Sequence, residues 1–165
     1  METRVAVENG PRLRKTEPGL RELAEMLGRV MADTYVLYFQ TQSFHWNVRG
    51  PQFYSLHLMF EKQYEQLAEA ADTLAERLRG IGALAPTSLG EIANLSSMPL
   101  DHGAPPARDM VELLLRGHEH LARAARDTAD LAERVHDDVT HDVMISRATK
   151  HEKTAWMFRA TWHDS

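Results

Sequence analysis

The chain has 165 residues, no cysteine and a formal net charge of −5, with 43% hydrophobic and 26% charged residues. That length and composition fit one compact globular domain with a sizeable core. They exclude a disulfide framework and thiolate metal sites, a body built as a general polyanion binder, and any apolar run near the ~20 residues of a membrane-spanning helix. The N-terminus has no apolar signal-peptide core, so cytoplasm is the expected compartment.

Residues 1–17 show no helical periodicity and contain Gly10-Pro11. They read as a flexible tail with Arg4, Arg12, Arg14 and Lys15 set against Glu2, Glu8 and Glu17. A first helix is expected from Pro18, capped by Thr16, to about Val48, with Leu20, Leu23, Leu27, Val30, Met31, Thr34 and Tyr38 inward. Arg49-Gly50-Pro51 makes a tight turn, with Pro51 at the first position of a second helix running to about Ile81. Gly80 and Gly82 supply its stop. Its core face is Phe53, Leu56, Phe60, Tyr64, Leu67, Ala71 and Leu74.

The stretch from Ala83 to Pro106 holds four prolines, and Ser88-Leu89-Gly90-Glu91 has capping-box spacing, so it reads as a crossover with a short helix to about Leu95. A third long helix is expected over Ala107–Val135, with Met110, Leu114, Gly117, Leu121, Thr128 and Leu131 inward. A fourth spans Val139–Thr161, through Met144, Ile145, Ala148, Ala155, Trp156 and Phe158. The fold class is therefore all-α: residues 18–162 form a four-helix bundle with one long crossover between the second and third helices.

The second helix carries the chemistry. His57 and Glu61 are four residues apart, as are Asp72 and Glu76, and the eleven-residue step between the pairs is nearly three turns, so all four share one stripe. At ~1.5 Å per residue, His57 and Glu76 stand roughly 28 Å apart, too far to share a metal ion within one chain. The midpoints of 57/76 and of 61/72 both fall between Gln66 and Leu67. A two-fold axis crossing there sets His57 beside Glu76 of a second copy and Glu61 beside Asp72, an isologous arrangement with two equivalent sites. His45, just before the turn, can face His57 across the helical hairpin. Imidazole and carboxylate donors of this kind suit Fe(II) better than a soft metal. The alternative reading is a solvated charged face with two packed histidines.

The series FHW, GPQF, LH and the acidic pair before AER, with HEKTAWMFR at His151–Arg159, resembles the Dps family of ferritin-like DNA-binding proteins from starved cells. The resemblance covers about Gly19 to Trp162. It implies a ferritin-like bundle, a homo-oligomeric dodecamer, and ferroxidase chemistry in which Fe(II) is oxidised, preferably by hydrogen peroxide, and stored as ferric mineral. The catalytic and metal-ligating residues are then His45, His57 and Glu61 of one subunit with Asp72 and Glu76 of its two-fold mate. The resemblance puts Trp46 beside the iron, to absorb stray oxidising equivalents or simply to pack at an interface. It also matches Asp137, Asp138 and Asp142 to an acidic iron-entry pore, where a helix cap is the other reading.

The rival function is a nucleoid protein that mainly coats DNA through phosphate contacts of the N-terminal tail. Four basic residues offset by three acidic ones predict only weak, non-specific binding. Glu133 and His136 form a single Glu-x-x-His, whereas a di-iron centre inside one bundle uses two. They are expected at an exposed helix end. His118 and His120 do not face one another on a helix and are expected at the surface, like His102, His141, His151 and His163.

Overall fold

The computed structural model describes residues 18–100 and 103–162. The expected Thr16 cap and basic tail, together with His102 and His163, lie outside them. Five helices and no strand occur among the described residues: α1 Pro18–Asn47, α2 Phe53–Gly80, α3 Leu89–Leu95, α4 Ala107–Arg134 and α5 Asp138–Thr161. The long helices pack as two hairpins, α1 with α2 and α4 with α5, joined by contacts of α1 with α4 and α3. Phe44, Phe60 and Phe158, with Leu27, Leu37, Leu56, Leu67, Leu74, Met110, Leu114, Leu121 and Met144, fill a common core. Each such side chain contributes about 1.5–3 kcal/mol by leaving water.

The first hairpin turn departs from the expected form. Pro51 lies in the turn, and α2 starts at Phe53. Gly50 takes φ +112°, a left-handed conformation that costs glycine nothing. Its carbonyl accepts from the Phe53 amide at 3.0 Å, so the chain closes a turn before helical bonding begins with Leu56 N to Gln52 O. At the other end Gly82 takes φ +83° and donates to the Arg79 carbonyl, ending α2.

The crossover is pinned rather than loose. Ser88 caps α3 by accepting from the Glu91 amide at 3.1 Å, and the Glu91 carboxylate reaches back to the amide (2.8 Å) and hydroxyl (3.1 Å) of Thr87. Past α3, buried Asp33 of α1 accepts from the Ser96 hydroxyl (2.7 Å), the Ser97 amide (2.7 Å), the Ser97 hydroxyl (2.8 Å) and His120 Nε2 of α4 (2.8 Å). Burial alone would raise this carboxyl, but the bonds from His120, Ser96 and Ser97 hold it below the ordinary aspartate value.

Three residues expected in the core are exposed: Phe53, Ile145 and Trp156, the last by 61%. Each lies beside its helix's apolar stripe, left partly uncovered by the other described residues. The opposite correction concerns His118 and His151, expected at the surface and found in the bundle interior, 2% and 1% exposed. Glu133 and His136 are exposed at the end of α4, as expected.

Candidate metal centre

His45 lies in the last turn of α1 and His57 in the second turn of α2, so the hairpin brings the rings together across the turn. They stack with centroids 3.8 Å apart and planes 17° apart. His45 Nδ1 stands 2.8 Å from the His57 carbonyl, and His57 Nδ1 stands 2.8 Å from the His45 carbonyl. A carbonyl oxygen only accepts, so both Nδ1 atoms carry hydrogen and both Nε2 atoms keep a lone pair. A backbone bond on Nδ1 is the usual way a metal-binding histidine is oriented. Two rings meet the pair at its sides: Tyr64 edge-on to His45 at 5.2 Å, and Phe53 stacked on His57 at 5.0 Å. Phe53, 43% exposed, thus stacks on His57 while part of its surface faces out. The Tyr64 hydroxyl is held above the ordinary phenol value by burial and then by the charges of Glu61 and Glu65.

Glu61, one turn beyond His57, is half-buried. Asp72 and Glu76 are exposed near the far end of α2, roughly 22 and 28 Å along the axis from His57 at ~1.5 Å per residue. Among the described residues, no three His, Cys, Asp or Glu side chains are close enough to hold one metal ion. One chain supplies two oriented imidazoles and a carboxylate at one end of the stripe, and two more carboxylates at the other.

Trp46 is 59% exposed and meets Phe39 edge-on at 6.5 Å. Phe39 is itself on the rim of an apolar groove of about 550 Å³ between α1 and α3, with Tyr35, Phe44, Leu89, Ile92 and Leu100. Asp137 is engaged: it caps α5 through the Thr140 amide (3.1 Å) and takes both oxygens to Arg77 Nη2 at 2.7 and 2.9 Å. Burial would raise its carboxyl; Thr140 and Arg77 together bring it below the ordinary value. Asp138 and Asp142 are exposed. Asp33 and the interior histidines are polar groups that the sequence reading missed. Their signal was register: Asp33 falls between Val30 and Leu37, and His118 between Leu114 and Leu121, on the buried faces of their helices.

No helix among the described residues is long and apolar enough to cross a membrane. The family model for the ferritin-like domain matches residues 24–164. DNA protection during starvation protein 2 of Bacillus anthracis is 33% identical, over 85% of this chain and 96% of its own length. Among solved structures, a Dps protein from Bacillus brevis superposes with a TM-score of 0.85 at 31% identity, covering 88% of this chain and 98% of the other. A Dps protein from Vibrio cholerae, described as a member of a broad superfamily of ferritin-like diiron-carboxylate proteins, does so with a TM-score of 0.84 at 27% identity, covering 91% and 98%. The helical order, the histidine pair and these likenesses agree: the chain belongs to the ferritin-like domain family and, within it, to the Dps proteins.

Proposed function

We propose that this protein is a ferroxidase that oxidises Fe(II), preferably with hydrogen peroxide, and stores the ferric product inside a dodecameric shell. The observation that carries the reading is the reciprocal bonding of His45 and His57, which leaves two Nε2 lone pairs fixed and facing away from the backbone. With Glu61 of the same chain and Asp72 and Glu76 of a two-fold mate, they make a mixed nitrogen–oxygen donor set suited to Fe(II) with positions left open. Two Fe(II) ions give one electron each to one peroxide, which is reduced to water without release of hydroxyl radical. Protection of DNA from oxidative damage follows from that stoichiometry. The chain works in the cytoplasm, where both ferrous iron and DNA are found.

Assembly is supported by what one chain leaves uncovered. Phe39, Trp46, Phe53, Leu89 and Leu100 are all more than 40% exposed beside the histidine end of the hairpin, and an apolar face of this kind marks a contact surface. For the entry of iron, Asp137 is already neutralised by Arg77, so Asp138 and Asp142 are the acidic residues left to draw cations in. The second role, weak DNA binding at low salt, rests on Arg4, Arg12, Arg14 and Lys15, multiplied across the tails of one particle.

The test is anaerobic addition of Fe(II) and peroxide to metal-free protein, with ferric absorbance and residual peroxide both measured. The expected result is fast oxidation consuming one peroxide per two iron ions, by a particle whose light-scattering mass is many times one chain. A rate no faster than the protein-free control, or the mass of a single chain at neutral pH, would sink the proposal.

A further inference from the structure

A second pair of histidines lies inside the bundle, where α2, α4 and α5 meet, and the iron chemistry makes no use of it. Arg147 Nη2 stands 3.1 Å from His151 Nε2. A guanidinium only donates, so His151 Nε2 accepts and its hydrogen is on Nδ1. That Nδ1 donates to His118 Nδ1 at 2.9 Å, which leaves the His118 hydrogen on Nε2. His118 Nε2, Arg147 Nε and both amide atoms of Gln63 are buried without a hydrogen-bond partner. Their residues are 2%, 7% and 6% exposed. All three line one small cavity, open to the centre of a water-sized sphere over about 10 Å³, room for a single atom of that size.

Orphaned polar atoms around a one-atom cavity call for an occupant. Three of the four are nitrogens carrying hydrogen, and a cation among them is excluded by the guanidinium. A water molecule would bring no negative charge to the buried guanidinium. Burial pushes Arg147 down to about 10, so it is still charged at neutral pH; Glu69 supports that charge from the neighbouring groove. Among the described residues no carboxylate forms an ion pair with it. A buried charge without a partner is costly.

We propose that the cavity onto which Gln63, His118 and Arg147 face is a binding site for one monoatomic anion, a halide such as chloride. The ion accepts from His118 Nε2, Arg147 Nε and the Gln63 amide nitrogen, and so ties together the three helices that carry them. A groove of about 300 Å³ between α2 and α5 shares Gln66, Arg147 and Lys150 with the cavity and carries Glu69 and Asp142 beside them. None of the three donors belongs to the proposed iron-oxidising site.

The assembled protein is crystallised with sodium bromide in place of chloride, and the anomalous signal of bromine is mapped. The expected result is a peak in the cavity within hydrogen-bonding reach of all three donors, lost in Arg147→Met. A water oxygen without anomalous signal, an empty cavity, or a peak that persists in Arg147→Met would overturn the proposal. Melting of the wild-type protein needs no variant to fold: chloride should raise Tm above the value in gluconate at equal ionic strength, through binding to the native state alone. Equal Tm in the two salts would also overturn it.

Discussion

The two histidine pairs are built from the same side chains and do opposite things. His45 and His57 bond through Nδ1 to each other's backbone carbonyl, so neither ring spends its Nε2. His118 and His151 bond to each other, and Arg147 takes the Nε2 of His151. Burial first, and then the charge of Arg147, pushes His118 down to about 3; burial, His118 and Arg147 also hold His151 well below its usual value. The first pair keeps both Nε2 atoms unspent at the end of the hairpin, and the second is closed into the core. What separates them is where the Nε2 lone pairs go: the carbonyl bonds leave both free in the first pair, whereas in the second His151 gives its Nε2 lone pair to Arg147 and His118 carries a hydrogen on Nε2.

The largest expected effect comes from breaking the hairpin pair. His45→Ala/His57→Ala should lower the rate of peroxide-driven Fe(II) oxidation by at least about 100-fold, since even outer-shell changes at metal sites cost roughly 10–100-fold. The size of the particle, read by light scattering, should not change. His118→Leu predicts the reverse signature. It strands the Nδ1–H of His151, at a cost of about 1–3 kcal/mol in urea unfolding, and leaves the oxidation rate as it was. If His118→Leu abolished oxidation in a correctly assembled particle, the division between the pairs would be wrong.

The next effect is on acid stability. Both interior histidines have folded-state values below the unfolded value of about 6.5. Between the two values the unfolded chain binds more protons, so stability falls as pH falls from about 6.5 toward about 3 for His118. The slope is about 1.4 kcal/mol per pH unit for each histidine, a tenfold change in the unfolding equilibrium. Asp33 and Asp137 are also depressed, but their contribution is whole above the unfolded carboxylate value and fades only below it. Urea midpoints at pH 7, 6 and 5 therefore isolate the histidines, and His118→Leu should flatten the curve. A wild-type midpoint that did not move over this range would show that the interior pair is not held neutral.

Much of this was legible in the sequence because it is local. The helical stripes, the capping residue Ser88 and the helix-ending Gly82 each depend on residues a few positions apart. Pro51 was misleading because the left-handed Gly50 closes a turn ahead of the helix, so the proline precedes the first helical residue by two. Phe53, Ile145 and Trp156 look like core because periodicity reports an apolar face without saying what covers it. His118 was assigned to the surface because it cannot face His120, yet its own register with Leu114 and Leu121 put it inside. A polar residue on a buried stripe is the readable sign of an interior network, and Asp33 repeats it. The His118–His151 contact, by contrast, depends on how α4 and α5 pack, which no spacing within one helix records.

The smallest expected effect is the sharpest test of the hairpin pair, because it asks whether those imidazoles need a second chain. Take His45→Ala/His57→Ala in one subunit and Asp72→Ala/Glu76→Ala in the other; each homo-oligomer then has every site damaged. In a mixed two-fold pair, one site collects both damaged halves and the other collects both intact halves, because the contact is isologous. When the two variants are co-assembled in equal amounts from the unfolded mixture, about half the interfaces should be mixed, each with one intact site of two. About a quarter of the wild-type oxidation should therefore return. A site contained within one chain predicts no recovery, since every chain carries its own lesion. Mass spectrometry of the mixed particle separates failure to mix from failure to share. Confirmed mixing with no recovered peroxide-driven oxidation would mean that His57 and Glu76 never meet across the axis, and the paired spacing along α2 would then be only a solvated stripe.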